Sequence, residues 1–267
     1  MGLTDLHSHV IPGVDDGAQS VEQARAALGA LKDAGVSTVV ATPHVQASLT
    51  GSPAALEARL AELDAGWRTL AEEVLPPVEG LAVRRGAEVE LDTPDPDVSD
   101  GRLRLGGGPA VLVEFPYMTV PPNSQDVLAR LRAAGWTPVL AHPERYEGVD
   151  SALAIARAWR EAGAVLQVNA GSLLGRYGEE ARRRAATLLE RGWVDCVAGD
   201  YHARGRVHLA ELVAFLDEQG AAEQARLLAE VNPARILEGE PPIPVAPVRL
   251  RRAGLWARVA RLARAMR

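Results

Sequence analysis

195-DCVAGDYHARGR-206 is the stretch on which the reading of the whole chain turns. An apolar run over 194–198 ends in Gly199 and releases Asp200 and His202, and Arg204 and Arg206 follow at once. Side chains at i and i+2 on a strand end point to one side, because their direction alternates with period two. A buried strand that delivers a carboxylate, an imidazole and cations at its C-terminal end is how α/β barrels build their sites. Taken alone, the stretch is equally a strand followed by a polar loop. Recurrence of the pattern upstream decides between the two.

Seven apolar runs read as buried strands: 3–8, 36–42, 81–91, 110–115, 137–141, 164–169 and 194–199. Most are continuous rather than alternating, which suits a parallel sheet covered on both faces. Helical patterns lie between them at 20–34, 54–74, 123–134, 151–162 and 179–191. Ser20 with Gln23 forms a capping box, and Gly35, Gly163 and Gly192 stand where three of the helices stop. Helix, glycine, strand, repeated this often, predicts a single β/α barrel. The connection 92-DTPDPDVSDGRLRLGGGP-109 is too rich in Pro, Asp and Gly for a helix and reads as a loop. After Pro233 the regular pattern fades, and 240-EPPIPVAP-247 reads as an extended linker. The expected organisation is a barrel over 1–239, then a Pro-rich linker and basic tail over 240–267.

A chain of 267 residues can bury the core of one large α/β barrel. Its one cysteine, Cys196, can form no internal disulfide, and the start MGLTDLHSH lacks the regions of a signal peptide. No apolar run approaches the length of a membrane span, so a cytoplasmic protein is expected. Net charge is −6, but the seven arginines and no acids of 249–267 leave −13 on the remainder, which argues against nucleic acid as a partner.

On this frame, strand ends carry Asp5-Leu6-His7-Ser8-His9, then Asp15-Asp16; Thr42-Pro43-His44; Glu88-Val89-Glu90; Glu114; and His142-Pro143-Glu144-Arg145. With Asp200 and His202, five of the six histidines sit at or just past strand ends. One such histidine is more often structural than a ligand. Five at one end of a barrel are hard to attribute to packing, because imidazoles and carboxylates are costly to bury unpaired. Imidazole and carboxylate without thiolate suit Mn, Fe or Zn in a reactive site. About nine ligands imply two or three ions, an arrangement that serves phosphoryl transfer. Arg145 and Arg206 add the planar fork that matches phosphate oxygens.

DLHSH, TPH, GAE, the Glu of VEF, AHPERY and GDYH together resemble the polymerase-and-histidinol-phosphatase (PHP) superfamily. DLHSHVIPGVDDGAQS, ATPHV, AHPERY and QVNAGS further resemble its bacterial protein-tyrosine phosphatases, which act on the autokinases of capsule and exopolysaccharide export. The similarity runs from about residue 3 to Leu237. It implies a distorted (β/α)7 barrel with the metal site at the C-terminal ends of the strands, typically loaded with manganese. It implies a first metal on His7, His9, Glu88 and Asp200. A second would share Glu88 with Glu114 and His142, and a third would use Asp16, His44 and His202. The segment between His202 and Gly205-Arg206 is a residue shorter than the family pattern, which makes Arg206 less secure than Arg145. Asp15, Glu90 and Arg204 read as solvated loop residues or as supports of the ligands.

The expected reaction is metal-dependent hydrolysis of phosphotyrosine on a membrane-anchored tyrosine autokinase. Arg145 and Arg206 would neutralise the phosphoryl oxygens, and Asp16, His44 and His202 are candidates for the acid. Cys196 is followed six positions later by His202 and not by the arginine of a thiol phosphatase loop. Rival readings are a PHP phosphoesterase of the histidinol-phosphatase kind and a metal-binding scaffold that docks a kinase. In the tail, Leu255, Val259, Leu262 and Met266 recur at helical spacing beside Trp256, with Arg258, Arg261 and Arg264 off that stripe. Such a helix either packs on the acidic barrel or lies on an anionic membrane at the inner surface.

Overall fold

Strand β1 (Leu3–Ser8) is buried along its whole length, a β-rich run with no solvent face. It pairs in parallel with β2 (Val36–Ala41), which pairs in parallel with β4 (Ala82–Arg85). A second parallel sheet runs in the order β3 (His44–Gln46), β5 (Glu88–Glu90), β6 (Ala110–Glu114), β7 (Thr137–Ala141), β8 (Val165–Asn169) and β9 (Cys196–Ala198). The computed structural model describes residues 2–76, 78–149 and 153–250. The fold is mixed α/β with parallel sheets, and among the described residues α-helices stand in five of the eight connections between successive strands.

The described residues hold nine strands in two sheets, where seven strands were expected from sequence. The expected run 36–42 is β2, and β3 is an additional strand beyond it: Pro43 has no N–H to give a ladder, and the chain changes partner from β4 to β5 across it. The expected run 81–91 is broken in two. Gly86-Ala87 interrupts 82–90 at a close approach, where a Cβ on Gly86 would stand 3.1 Å from Val40 and 3.2 Å from Leu105. Backbone bonds nonetheless join the two sheets. Gly86 N donates to Ala41 O at 2.9 Å and Glu88 N to Pro43 O at 3.0 Å. At the other edge Asp200 N donates to His7 O at 3.0 Å and His9 N to Tyr201 O at 2.9 Å.

Helix α1 (Val21–Asp33) buries Ala24, Ala27, Leu28 and Leu31 on one stripe. Ser20 caps it by accepting from Gln23 N, but the Gln23 side chain reaches back to Gln19 N rather than to Ser20 N, so the capping box is displaced by one residue. Helix α2 (Pro53–Thr69) starts on Pro53, where the missing N–H is no loss, and runs on as a π turn through Val74. Helices α3 (Ser124–Ala133), α4 (Ala154–Glu161) and α6 (Glu179–Glu190) lie where periodicity puts them. The loop 92–109 holds only two short 3-10 turns, and Arg102 straps it to α2 through Glu57 and Asp64. Periodicity missed α5 (Ala170–Leu173), α7 (Leu209–Glu218), α8 (Ala222–Arg226) and α9 (Asn232–Leu237). Pro233 does not end regular structure; it occupies the first turn of α9.

Behind β6 and β7 sits an aromatic group. Tyr146 lies 5.4 Å from Phe115 and 5.9 Å from Trp159 between ring centroids, and all three are buried. The Tyr146 hydroxyl accepts from Phe115 N and donates to Ala141 O, each at 3.1 Å. This fixes the turn that leaves β7 with His142 and Arg145. Residues 240–250 have no regular structure and fold back on the body, with Val245 and Val248 buried. Residues 251–267, and with them the expected amphipathic helix, lie outside the described residues.

Asn232 holds that C-terminal strap. Its side chain donates to Asp195 O (2.7 Å) and Ile243 O (2.9 Å) and accepts from Ile243 N (2.8 Å). Asn232→Ala orphans all three partners and is expected to lower stability by about 1–3 kcal/mol, read from the urea midpoint. Faster amide exchange at Ile243 accompanies it. An unchanged midpoint would show that the strap is not clamped there.

Candidate metal centre

His7 closes β1 and His9 follows two residues on, so both imidazoles face the same end of the sheets. His7 Nδ1 lies 3.0 Å from Gln167 Oε1, and His9 Nδ1 lies 2.8 Å from Asp15 Oδ2. These acceptors place the ring protons on the δ nitrogens and turn both ε nitrogens inward as lone pairs. His7 Nε2 then sits 3.1 Å from His9 Nε2, 3.0 Å from Glu88 Oε2 and 3.3 Å from Asp200 Oδ1. No single proton satisfies four electron-rich atoms that close together. A divalent cation does, and imidazole with carboxylate is its usual donor set.

The remaining candidates join around Glu88, which is 1% exposed. Its Oε1 lies 3.2 Å from His142 Nε2, and its Oε2 lies 3.3 Å from His9 Nε2 and 3.2 Å from His44 Nδ1. Glu114 approaches His44 Nδ1 at 3.1 Å and His142 Nε2 at 3.7 Å. Asp16 Oδ1 lies 3.5 Å from His44 Nε2 and 3.3 Å from His202 Nε2. All nine residues expected from sequence therefore fall into four overlapping groups: His9, Asp16, His44, His202; His7, Glu88, His142; His7, His9, Asp200; and His44, Glu88, Glu114. The groups are shared differently from the expected sets. His44 turns one nitrogen to Asp16 and the other to Glu88 and Glu114, and His9 joins the Asp16 group.

The electrostatics have the same cause. Burial alone would push the His7 pKa down, but Glu88 and Asp200 beside it hold it up at about 9. His9 is raised well above its usual value against the same burial, by Asp15 and Glu88. Glu88 and Asp200, which burial alone would raise, are held low by the histidines around them. His202 moves the other way, lowered by burial and by the charge of His9, whose ring is stacked on it at 4.1 Å. The cluster borrows protons where a cation belongs, and binding a cation at His7 would displace one.

Supports of the donors include residues that sequence reading passed over. Gln167 donates to Asn169 Oδ1 at 2.8 Å, and Asn169 donates to Asp200 Oδ2 at 2.7 Å. A hydrogen-bonded chain thus runs from His7 through two amides to Asp200. Its signal was present: Gln167 and Asn169 are polar at i and i+2 inside the buried run VLQVN. Asp5 accepts from Gly199 N and His7 N, and burial pushes its carboxyl up to about 6. Gly199 is required there, since a Cβ would stand 2.5 Å from Asp5 Oδ2. Asp15 supports His9, whereas Glu90 remains half-buried outside the donor groups beside Glu114.

Arg145 Nη1 donates to Asp200 Oδ2 at 2.8 Å, and its guanidinium carbon lies 4.3 Å over the ring of Tyr177. Both line a cavity of about 320 Å³ together with Asp200, His202, Arg204 and Arg206. Cys196 is buried in β9, and burial pushes its thiol well above the usual range, which makes it a poor nucleophile.

The capsular polysaccharide synthesis family CpsB/CapC matches residues 3–238. The tyrosine-protein phosphatase YwqE of Bacillus subtilis (strain 168) is 30% identical over 256 residues, covering 91% of this chain and 96% of that protein. The tyrosine-protein phosphatase CpsB of Streptococcus pneumoniae is 28% identical over 251 residues, covering 88% and 98%. Among solved structures, a chain from the crystal structures of these two proteins, described as unique metal-dependent tyrosine phosphatases, superposes with a TM-score of 0.72. It is 25% identical and covers 94% of this chain and 100% of that one. An organophosphorus hydrolase variant from Deinococcus radiodurans (TM-score 0.51, 18% identity, 88% and 93% covered) shares the fold alone. On the match over 3–238, the chain belongs to the CpsB/CapC family of capsular polysaccharide synthesis.

Proposed function

We propose that the chain is a metal-dependent protein-tyrosine phosphatase that hydrolyses phosphotyrosine on the membrane-anchored autokinase of a capsule or exopolysaccharide system. The observation that carries this reading is the convergence of four imidazole nitrogens on Glu88 with the Arg145 guanidinium tied to the same cluster through Asp200. The named activity of the similar proteins supports it. In this reading the two joined sheets act as one distorted (β/α)7 barrel with its site at the C-terminal strand ends. The nine residues His7, His9, Asp16, His44, Glu88, Glu114, His142, Asp200 and His202 hold two or three divalent ions, manganese first, with iron and zinc as the alternatives of the same donor chemistry.

When bound, such ions supply Lewis acidity toward phosphoryl oxygen and make water nucleophilic near neutral pH. Everything else falls to the chain. Asp15 and Gln167 hold His9 and His7 in the tautomer that can ligate. Arg145 spends one N–H on Asp200 and keeps the rest of its fork for the phosphoryl oxygens, with Arg206 lining the same cavity. The Tyr177 ring beneath restricts the guanidinium to one plane. The leaving phenolate has a reference pKa of about 10 and needs only modest help. Asp16, His44 and His202, the least buried of the donors, stand where a departing phenolate would be protonated.

No helix among the described residues is long and apolar enough to cross a membrane. We place the reaction in the cytoplasm, at the inner membrane surface, where the seven arginines of 249–267 would meet anionic lipid. Truncation after Leu250 leaves the buried Val245 and Val248 in place. It is expected to abolish salt-sensitive binding to anionic vesicles while turnover of a soluble phosphotyrosine peptide stays the same. Equal vesicle binding by both proteins at low salt rejects the membrane role.

The reading itself is tested on a tyrosine-phosphorylated peptide with and without manganese. Chelation should abolish hydrolysis, and Cys196→Ser should retain most of it. A metal-loaded, folded serine variant without activity would sink the metal mechanism. Arg145→Ala is expected to lower kcat on the order of 10²-fold with metal content unchanged. Arg145→Lys should recover little, since a point charge cannot reproduce two parallel hydrogen bonds. Near-normal turnover of Arg145→Ala would leave that residue a surface role only.

A further inference from the structure

Three arginines, Arg145, Arg204 and Arg206, line the cavity beside Asp200, against two carboxylates, Asp16 and Asp200. Arg145 is committed, held by Asp200 and by the face of Tyr177. Arg204 and Arg206 are exposed and line the same cavity of about 320 Å³. Their placement is built rather than incidental. Left-handed backbone recurs at Asp200 (φ 49), Ala203 (φ 54) and Gly205 (φ 79), and the first two are strained for residues that carry a Cβ. The segment is pinned where it crosses the β1 loop, because Arg204 Nη2 donates to the backbone oxygen of Asp16 at 2.6 Å. A guanidinium has five N–H groups, so this tie leaves most of Arg204 free toward the cavity.

A separate groove of about 380 Å³ carries both signs, with Arg130 beside Asp92 and Asp126 in its lining, so the gathering of arginines is a feature of the Asp200 cavity.

We propose that Arg204, with Arg206 beside it, forms a subsite for a second anionic group of the substrate, the carboxylate of an acidic residue flanking the phosphotyrosine. The inference rests on the phosphotyrosine reading and deepens it. Arg145 takes the phosphoryl group, and Arg204 reads its neighbour in the peptide. Arg204 is a specificity residue and touches no reacting atom.

The test uses the full-length, manganese-loaded protein and phosphotyrosine peptides identical except for flanking glutamates, glutamines or lysines, with free phosphotyrosine as control. The glutamate peptide should exceed the glutamine peptide by about three- to tenfold in kcat/KM at low salt, as exposed charge pairs allow. The lysine peptide should fall below both, and the gap should close as salt rises. Arg204→Gln removes the charge and keeps a polar side chain; it should bring the glutamate-to-glutamine ratio to about one with free phosphotyrosine turnover unchanged, and Arg204→Lys should keep most of the preference. Equal kcat/KM on the two peptides in the unsubstituted protein, while free phosphotyrosine is still hydrolysed, overturns the subsite and leaves the phosphatase reading standing. A preference that survives Arg204→Gln overturns it as well. Failure of the loaded protein on every phosphotyrosine substrate removes the phosphatase reading, and the subsite with it.

Discussion

Glu88 is the residue on which the rest depends. It is a carboxylate buried at the centre of the molecule, with its two oxygens within 3.0–3.3 Å of His7, His9, His44 and His142. Burying one charge without a partner is prohibitive, and burying several donors around it is worse unless positive charge is shared among them. Without a cation, the carboxylates Glu88, Asp200 and Asp15 draw His7 and His9 toward the protonated form, and both are raised despite burial. A cation supplies the positive charge better, since it satisfies several lone pairs at once.

Parallel sheets make such a cluster available. Neighbouring strands are parallel, and His7, Glu114 and His142 at or just past the ends of β1, β6 and β7, His44 and Glu88 at the starts of β3 and β5, and the residues that follow β9 converge on one cluster. The energetic opposition is local backbone strain. His142 (φ 37) and Asp200 (φ 49) adopt left-handed conformations that non-glycine residues avoid. The apolar body compensates. Tyr146, Phe115 and Trp159 fix the turn after His142, and Asp5 with Gly199 fixes the turn before Asp200. Mutating these supports would be felt in the site without touching a donor.

Much of this end was legible in the sequence because histidine, aspartate and glutamate at the ends of apolar runs contradict simple burial. The nine donors stood out one by one, and the structure brings them all together. Their division among ions did not stand out, since it depends on which nitrogen His44 turns to which neighbour, and spacing carries no such information. Gln167 and Asn169 were passed over because an uncharged amide inside a strand looks tolerable, although burial makes it as demanding of a partner as a charge. The break at Gly86 lay hidden inside the run 81–91 because continuous apolarity masks a change of strand partner, and β3 beyond Pro43 is too short to show a period. Helix α7 was missed although Leu209, Leu212, Phe215 and Leu216 follow a helical stripe, because the polar run of residues 200–208 drew attention to the loop before it.

Asp200 gives the site its last degree of order. One of its oxygens faces His7 at 3.3 Å and His202 at 3.4 Å, on the donor side. The other accepts from Arg145 at 2.8 Å and Asn169 at 2.7 Å, on the cavity side. A single buried carboxylate therefore ties the histidine cluster to the Arg145 guanidinium. Lysine in place of Arg145 could reach Asp200, but it would have no planar fork left to offer once that bond was made. Because Asn169 connects back through Gln167 to His7, any shift of the guanidinium is also a shift of a donor. The Arg145 guanidinium and the histidine cluster are thus held by one hydrogen-bonded chain that meets at Asp200, just past the end of β9.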